Sequence, residues 1–77
     1  MTMTPDQLLS VYWYDHQGTQ YRDTYHRPLS ECREAIKRLT TGPAAALNIV
    51  QSIRATDALD NLIVELKRTD TGWRRTF

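Results

Sequence analysis

The chain has 77 residues and a mass of 9.0 kDa, which is enough for one domain only. Ten Lys and Arg residues against nine Asp and Glu residues give a formal net charge of +1. That balance removes the strongest sequence argument for a nucleic-acid-binding domain, a strongly basic charge, and gives no support to an acidic mimic of DNA. The single cysteine excludes an internal disulfide and a thiolate-rich zinc site.

The N-terminal segment, residues 1–7, has neither a positively charged start nor an apolar run, so we do not expect it to be a secretory signal. The apolar stretches of the chain are far shorter than the roughly 20 residues that a membrane helix needs. We therefore expect a flexible N-terminus, a single domain over residues 8–77, a cytoplasmic location and no membrane segment.

Two strands are predicted first, over residues 8–15 and 19–26, because both stretches are rich in β-branched and aromatic side chains. The turn between them contains Gly18, which adopts a positive φ angle without steric cost. A four-residue loop and a three-residue loop with a glycine bulge both fit this turn. We choose the three-residue loop, which pairs Trp13 with Tyr21, because it gathers the apolar side chains on one face. That face would hold Leu9, Val11, Trp13, Tyr21 and Tyr25, with Leu9 opposite Tyr25.

A helix is predicted next, opened by the sequence Pro28-Leu29-Ser30-Glu31, with Ser30 as the capping residue. It ends at Gly42, which is followed by a proline. Its apolar stripe, which must pack on the sheet, consists of Leu29, Cys32, Ile36 and Leu39. Its outer face carries Arg33, Glu34, Lys37 and Arg38, where Glu34 can pair with Lys37 or Arg38 in a solvated helix surface.

Residues 44–55 fit both a helix and a strand. A helix starting at Pro43 would place Ile49, Val50 and Ile53 on one stripe with Ala46. A strand from about 46 to 55 would instead turn Leu47, Ile49 and Ile53 to one side and Val50 to the other. The β-branched content after Leu47 favours the strand, and the sequence leaves residues 44–52 open between the two.

A second hairpin ends the chain. Residues 62–68 alternate, with Leu62, Val64 and Leu66 on one face and Ile63, Glu65 and Lys67 on the other. The turn at residues 69–72 places Arg68 opposite Trp73 and Val64 opposite Phe77. The fold class is therefore α+β: an antiparallel sheet of four to five strands with one helix packed on one face, in the order β-β-α-β-β-(β). The aromatic residues expected in the core are Trp13, Tyr21, Tyr25, Trp73 and Phe77.

Residues suited to catalysis or metal binding are few. His16 and His26 fit no metal-ligand spacing, so both are interpreted as solvated loop histidines. Cys32 lies on the apolar helix stripe and is predicted to be a buried, unreactive side chain, although its place in the first helical turn favours a lower pKa. We therefore predict no enzyme activity, no cofactor and no metal site.

The candidate binding surface is the sheet face away from the helix. The alternation that buries Trp13 turns Tyr12 and Tyr14 to this face, where an ordinary amphipathic sheet surface is the simplest interpretation. Tyrosine and arginine are also enriched at protein interfaces, and exposed tyrosines beside arginines can stack nucleic-acid bases. Charge balance favours a protein partner, either a second protein or a second copy of this chain, over nucleic acid. The predicted partner-binding residues are Tyr12, Tyr14, Arg22, Arg54 and Arg74.

The order of elements, a strand pair followed by a helix opened by Pro28-Leu29-Ser30-Glu31 and then a further hairpin, resembles several small phage-encoded inhibitors. These include some anti-CRISPR proteins and a phage inhibitor of host RNA polymerase. The resemblance covers residues 8–77 as architecture; no diagnostic motif matches, so no functional residue is carried across. It implies a non-catalytic regulator or inhibitor, of phage or mobile-element origin, that occupies a surface on a larger host complex. The balanced charge departs from the strongly acidic members of this group.

Overall fold

The structure, a computed structural model, describes residues 7–77, so the predicted flexible N-terminus lies, except for Gln7, outside the described residues. The elements are β1 (Leu8–Tyr14), β2 (Gln20–Pro28), α1 (Leu29–Thr41), α2 (Pro43–Ala46), β3 (Ser52–Thr56), β4 (Leu62–Thr69) and β5 (Gly72–Arg75). The five antiparallel strands form one sheet in the order β2-β1-β3-β4-β5, which confirms the predicted α+β class. A search of residues 7–77 finds no helix that is long and apolar enough to cross a membrane.

The turn between β1 and β2 is the predicted three-residue loop. The backbone N–H of Asp15 donates to the carbonyl of Thr19 over 3.2 Å, and Gly18 has a φ of 78°. The Asp15 carboxylate also accepts hydrogen bonds from the Thr19 backbone N–H and the Tyr21 hydroxyl, at 3.0 and 2.9 Å. These bonds hold the loop, so Trp13 lies opposite Tyr21 as predicted and the two rings stack 4.2 Å apart.

The rest of the β1–β2 register differs from the prediction because β2 contains two bulges. Leu9 pairs with Arg27 and not with Tyr25, since extra residues are inserted between Arg22 and Thr24 and again between Thr24 and Arg27. At the second bulge His26 has a φ of 50°, and its backbone N–H donates to the Ser10 hydroxyl over 3.1 Å. The bulges move Tyr25 out of the predicted apolar face.

Helix α1 begins at Leu29, two residues earlier than a Ser30 cap would require. Its N-terminal cap is Pro28 and no side chain donates or accepts a capping hydrogen bond, so the prediction for Ser30 is wrong. The helix ends at Gly42 as expected, with the Gly42 N–H bonded to the Arg38 carbonyl over 2.7 Å. A Cβ atom at this glycine would lie 2.5 Å from the same carbonyl oxygen, so the close approach requires glycine.

Residues 43–51 combine both alternatives that the sequence left open. Pro43–Ala46 is a short helix, α2, and the strand begins only at Ser52, so the preferred strand from about residue 46 is wrong for its first half. Val50 is fully buried, whereas Leu47 and Ile49, which the strand pattern turned inward, are 71% and 40% exposed. Val50 enters the core from the loop between α2 and β3, whereas Ile53 and Arg54 keep the sides that the strand pattern gave them.

A bulge also shifts one position in β4. Ala55 pairs with Val64, but Thr56 pairs with Leu62, so Ile63 is the extra residue. Ile63 packs against the core beside Val64, whereas Leu62 lies opposite Thr56 on the other face. The predicted alternation is therefore wrong for Leu62 and Ile63. The predicted pairing of Arg68 with Trp73 is confirmed.

The core lies between α1 and the sheet. The prediction of a core position is wrong for three aromatic residues: Tyr21, Tyr25 and Phe77 are 40%, 50% and 60% exposed. Trp13 and Trp73 pack against the core as expected. The helix contributes Ala35 in addition to part of its predicted stripe, since Leu29 and Ile36 are only partly buried. The buried cluster consists of Leu9, Val11, Cys32, Ala35, Leu39, Val50, Ile53 and Ala55.

Candidate functional site

The sheet face away from α1 is here called the open face. Both helices pack on the other side, where α1 contacts β1, β2 and β3 and α2 contacts α1, and no other element of residues 7–77 covers the open face. The register of the sheet places all five predicted partner-binding residues on it. Its charged and aromatic members are Tyr12, Tyr14, Arg22, Arg54, Glu65, Lys67 and Arg74.

These residues form two rows across the strands. In the first row Tyr12 of β1 lies opposite Arg22 of β2 on one side and Arg54 of β3 on the other. Arg54 in turn lies opposite Glu65 of β4. The Cβ atoms of directly opposite residues lie about 5 Å apart, so Tyr12 lies between two arginine positions. The guanidinium of Arg54 itself lies 5.6 Å from the centre of the Tyr14 ring.

The second row runs parallel to the first and contains Tyr14, Ser52, Lys67 and Arg74. The Tyr14 hydroxyl donates to Gln20 Oε1 over 2.9 Å, which fixes the ring. At the end of this row Lys67 lies opposite Arg74. The spacing of neighbouring strands, about 4.8 Å, puts Arg74 roughly 14 Å from the tyrosines. The predicted residues are thus on one face, but Arg74 lies at its far end.

The centre of the open face is an ion pair. Arg54 Nε donates to Glu65 Oε2 over 2.6 Å, and the Thr76 hydroxyl donates to the other carboxylate oxygen over 2.7 Å. Glu65 is only 9% exposed. The hydrogen bond from Thr76 and then the one from Arg54 lower the pKa of this carboxyl below its usual value. Arg54 therefore has a structural partner, Glu65. The sequence did not identify this pair, although the alternation of each strand placed both residues on this face.

A third aromatic residue joins the open face because of the bulges in β2. The guanidinium of Arg22 lies 4.4 Å from the centre of the Tyr25 ring, which stacks on His26 at 3.9 Å. Such a cation–π contact is worth about 0.5–1 kcal/mol at an exposed site. Sequence reasoning placed Tyr25 in the core, and no sequence signal marks the bulges that move it.

The charge of the open face differs from that of the whole chain. It has four cationic side chains, Arg22, Arg54, Lys67 and Arg74, and one carboxylate, Glu65, which is paired with Arg54. The chain as a whole has a net charge of only +1. The open face is therefore basic.

Among residues 7–77 no cluster of three His, Cys, Asp or Glu side chains could hold a metal ion. Cys32 is 1% exposed, as predicted, and the carbonyl oxygens of Leu9 and Arg27, at 3.4 and 3.5 Å, are the two acceptors within reach of its single S–H. Burial raises the pKa of this thiol, contrary to the lower value that a helix start favours. His16 lies in the loop, 3.2 Å from the Gln51 amide nitrogen.

The outer face of α1 is solvated as expected, but its ion pairing is not the predicted one. Arg38 pairs with Asp23 of β2 and not with Glu34. The bulge beside Asp23 brings that carboxylate to the helix side of the sheet. This pair ties α1 to the outermost strand.

Comparisons with protein-family models, with curated proteins and with solved structures give no match for the chain.

Proposed function

We propose that the protein is a small non-catalytic protein-binding module whose open face binds an acidic surface of a partner protein. The observation that carries the proposal is the uncovered row in which Tyr12 lies between Arg22 and Arg54. Tyrosine and arginine are the residue types that most often dominate binding energy at protein interfaces. A basic surface on an otherwise balanced chain favours a partner of opposite charge.

The resemblance of the element order to small phage-encoded inhibitors extends this proposal to a biological role. We propose a regulator or inhibitor from a phage or mobile element, acting in the cytoplasm by covering a surface of a larger host complex. Such a role needs no catalytic group and no cofactor. It needs only a rigid surface, and the hydrogen bonds of Tyr14 and Glu65 support such rigidity on the open face.

Nucleic acid is the second candidate partner, because the open face combines three tyrosines with four cationic side chains. A salt titration separates the two candidates. Phosphate contacts make the logarithm of the binding constant fall steeply and linearly with the logarithm of salt concentration. A protein interface of mixed tyrosine and arginine contacts depends on salt less steeply.

The test of the open face is the double variant Tyr12→Ala/Arg22→Ala in an affinity pull-down. Truncating two central contacts should weaken partner binding by more than about 2 kcal/mol, which removes the partner from the eluate. Lys37→Ala is the matched control, because Lys37 is exposed on α1, away from the open face. If Tyr12→Ala prevents folding, as circular dichroism would show, Arg22→Glu/Arg74→Glu tests the same surface through exposed side chains.

Retention of every partner by the folded double variant at unchanged affinity would show that the binding surface lies elsewhere. Sedimentation of the free protein tests the case in which the partner is a second copy. If the partner is a second copy, the parent protein should be a dimer and the double variant should be a monomer.

A further inference from the structure

An apolar groove lies on the helix side of the sheet, between α1 and β4, and encloses a volume of about 270 Å³. It is on the opposite side of the sheet from the open face. A ligand of the groove is therefore independent of the proposed function of the open face. One wall is the α1 stripe that includes Leu29 and Ile36, and the other is formed by Ile63 and Val64, with Ala55 between them.

The groove exists because α1 does not cover the whole sheet. The helix contacts β1, β2 and β3 but makes no comparable contact with β4 or β5, so the helix-side residues of β4 are left partly exposed. The bulge in β4 adds a further apolar side chain, since it turns Ile63 to this side. A regular strand would have placed Ile63 on the open face and left the groove shallower.

Two arginines flank the groove. Arg33 lies on the α1 wall and Arg75 on β5, and no carboxylate is among the residues that line the groove. Within residues 7–77 neither arginine forms an ion pair, whereas Arg27, Arg38 and Arg54 each do. The Arg75 side chain donates one hydrogen bond, from Nε to the Phe77 carbonyl over 2.9 Å. An apolar groove between two such cations complements an apolar group that has negative charge beside it.

We propose that this groove binds an acidic amphipathic peptide segment of a partner protein, with one bulky apolar side chain inserted and its carboxylates against Arg33 and Arg75. The volume of the groove is below the range of about 300–1,000 Å³ that drug-sized ligands occupy, and it suits a single anchoring side chain. Desolvated pockets that receive one such side chain are typical centres of binding energy in protein interfaces. The partner contacted here and one contacted by the open face could bind at the same time, because the sheet separates the two surfaces.

The first experiment is a methyl-detected NMR titration of the full chain with a short peptide that has a central Phe-Leu pair flanked by glutamates. We expect saturable shifts of the methyl groups of Ile36, Ile63 and Val64. Two control peptides should each bind at least about tenfold more weakly. One has lysines in place of the glutamates, and the other has serines in place of Phe and Leu. The absence of shifts at these methyl groups, or shifts confined to the open face, would overturn the proposal.

The second experiment compares charge-reversal variants with the same peptide in a fluorescence polarisation assay. Arg33→Glu/Arg75→Glu should weaken binding about tenfold or more. Arg27→Glu/Lys37→Glu is a charge-matched control: it reverses two exposed cations that line neither the groove nor the open face. It should leave the affinity within about twofold. Equal effects of the two variants would overturn the proposal.

The single variants Arg33→Gln and Arg75→Gln keep the hydrogen-bonding side chain and test the same contacts if the double reversal fails to fold. Each should weaken peptide binding about threefold or more. Binding of decanoate at the same methyl groups, without binding of the acidic peptide, would identify the groove as a site for a small amphiphile and would also overturn the proposal. Failure of these tests leaves the pull-down of Tyr12→Ala/Arg22→Ala unaffected.

Discussion

Replacing Glu65 by glutamine tests whether the ion pair at the centre of the open face has a structural role. The substitution keeps the size of the side chain but removes the charge that accepts hydrogen bonds from Arg54 and Thr76, at 2.6 and 2.7 Å. Hydrogen bonds to a charged group contribute about 1.5–3 kcal/mol. Because the Arg54 side chain is 49% exposed, solvent reduces the loss to about 1–2 kcal/mol. For a domain of this size that loss lowers Tm by roughly 5–15 °C.

The pH dependence supplies an independent check. Hydrogen bonds from Thr76 and Arg54 lower the pKa of Glu65 in the folded state. The carboxylate therefore contributes stability that is present above its pKa in the unfolded chain, about 4.3, and is lost as pH falls through the lower folded value. The difference between parent and Glu65→Gln should be largest at neutral pH and should shrink in strong acid.

Urea denaturation of both proteins at pH 7 and pH 3 measures this difference. Glu34→Gln is the control, because Glu34 is exposed and forms no ion pair within residues 7–77. It should change the free energy of unfolding by less than about 0.5 kcal/mol at either pH. If the two glutamine variants are equally stable at pH 7, the Glu65 network does not stabilise the fold.

Two further predictions concern the helix side. Gly42→Ala should destabilise the protein by about 1–3 kcal/mol in the same assay, because its Cβ would lie 2.5 Å from the Arg38 carbonyl oxygen; a midpoint equal to that of the parent would contradict this. Cys32 should react with a neutral thiol reagent about a hundredfold more slowly in the native protein than in urea, because it is 1% exposed and burial raises the pKa of its thiol. Native labelling at the rate of the unfolded chain would show that the thiol is accessible.

The parts of the fold that follow local rules were predictable from the sequence. The turn around Gly18, the helix end at Gly42 and the pairing of Arg68 with Trp73 depend on turn chemistry and on a period of two residues. The order of the elements along the chain and the presence of one long helix on one face follow from the same patterns. So does the placement of Tyr12 and Tyr14 on the open face.

The bulges within β2 and β4 were not predictable, because they contain no glycine that would mark them in the sequence. They account for the exposed Tyr25 and for the inward position of Ile63. The prediction for Val50 was wrong for another reason: the short α2 helix replaces the first half of the predicted strand, so Val50 lies in the loop before β3, where its side chain is buried. The pairing of Arg54 with Glu65 depends on the β3–β4 register, and the groove depends on how far α1 extends across the sheet. Neither is a local property of the sequence.

The irregular outer strands have a consequence for how the protein behaves at high concentration. A sheet grows from molecule to molecule only when a flat strand exposes a regular series of unpaired backbone groups. In residues 7–77 the edge strand β2 has two bulges, and the opposite edge strand β5 is only four residues long and contains two arginines. Both features hinder the pairing of another chain with the sheet edge and therefore the growth of fibrils. The protein can therefore keep an aromatic face uncovered in a crowded solution without its sheet becoming a template for aggregation.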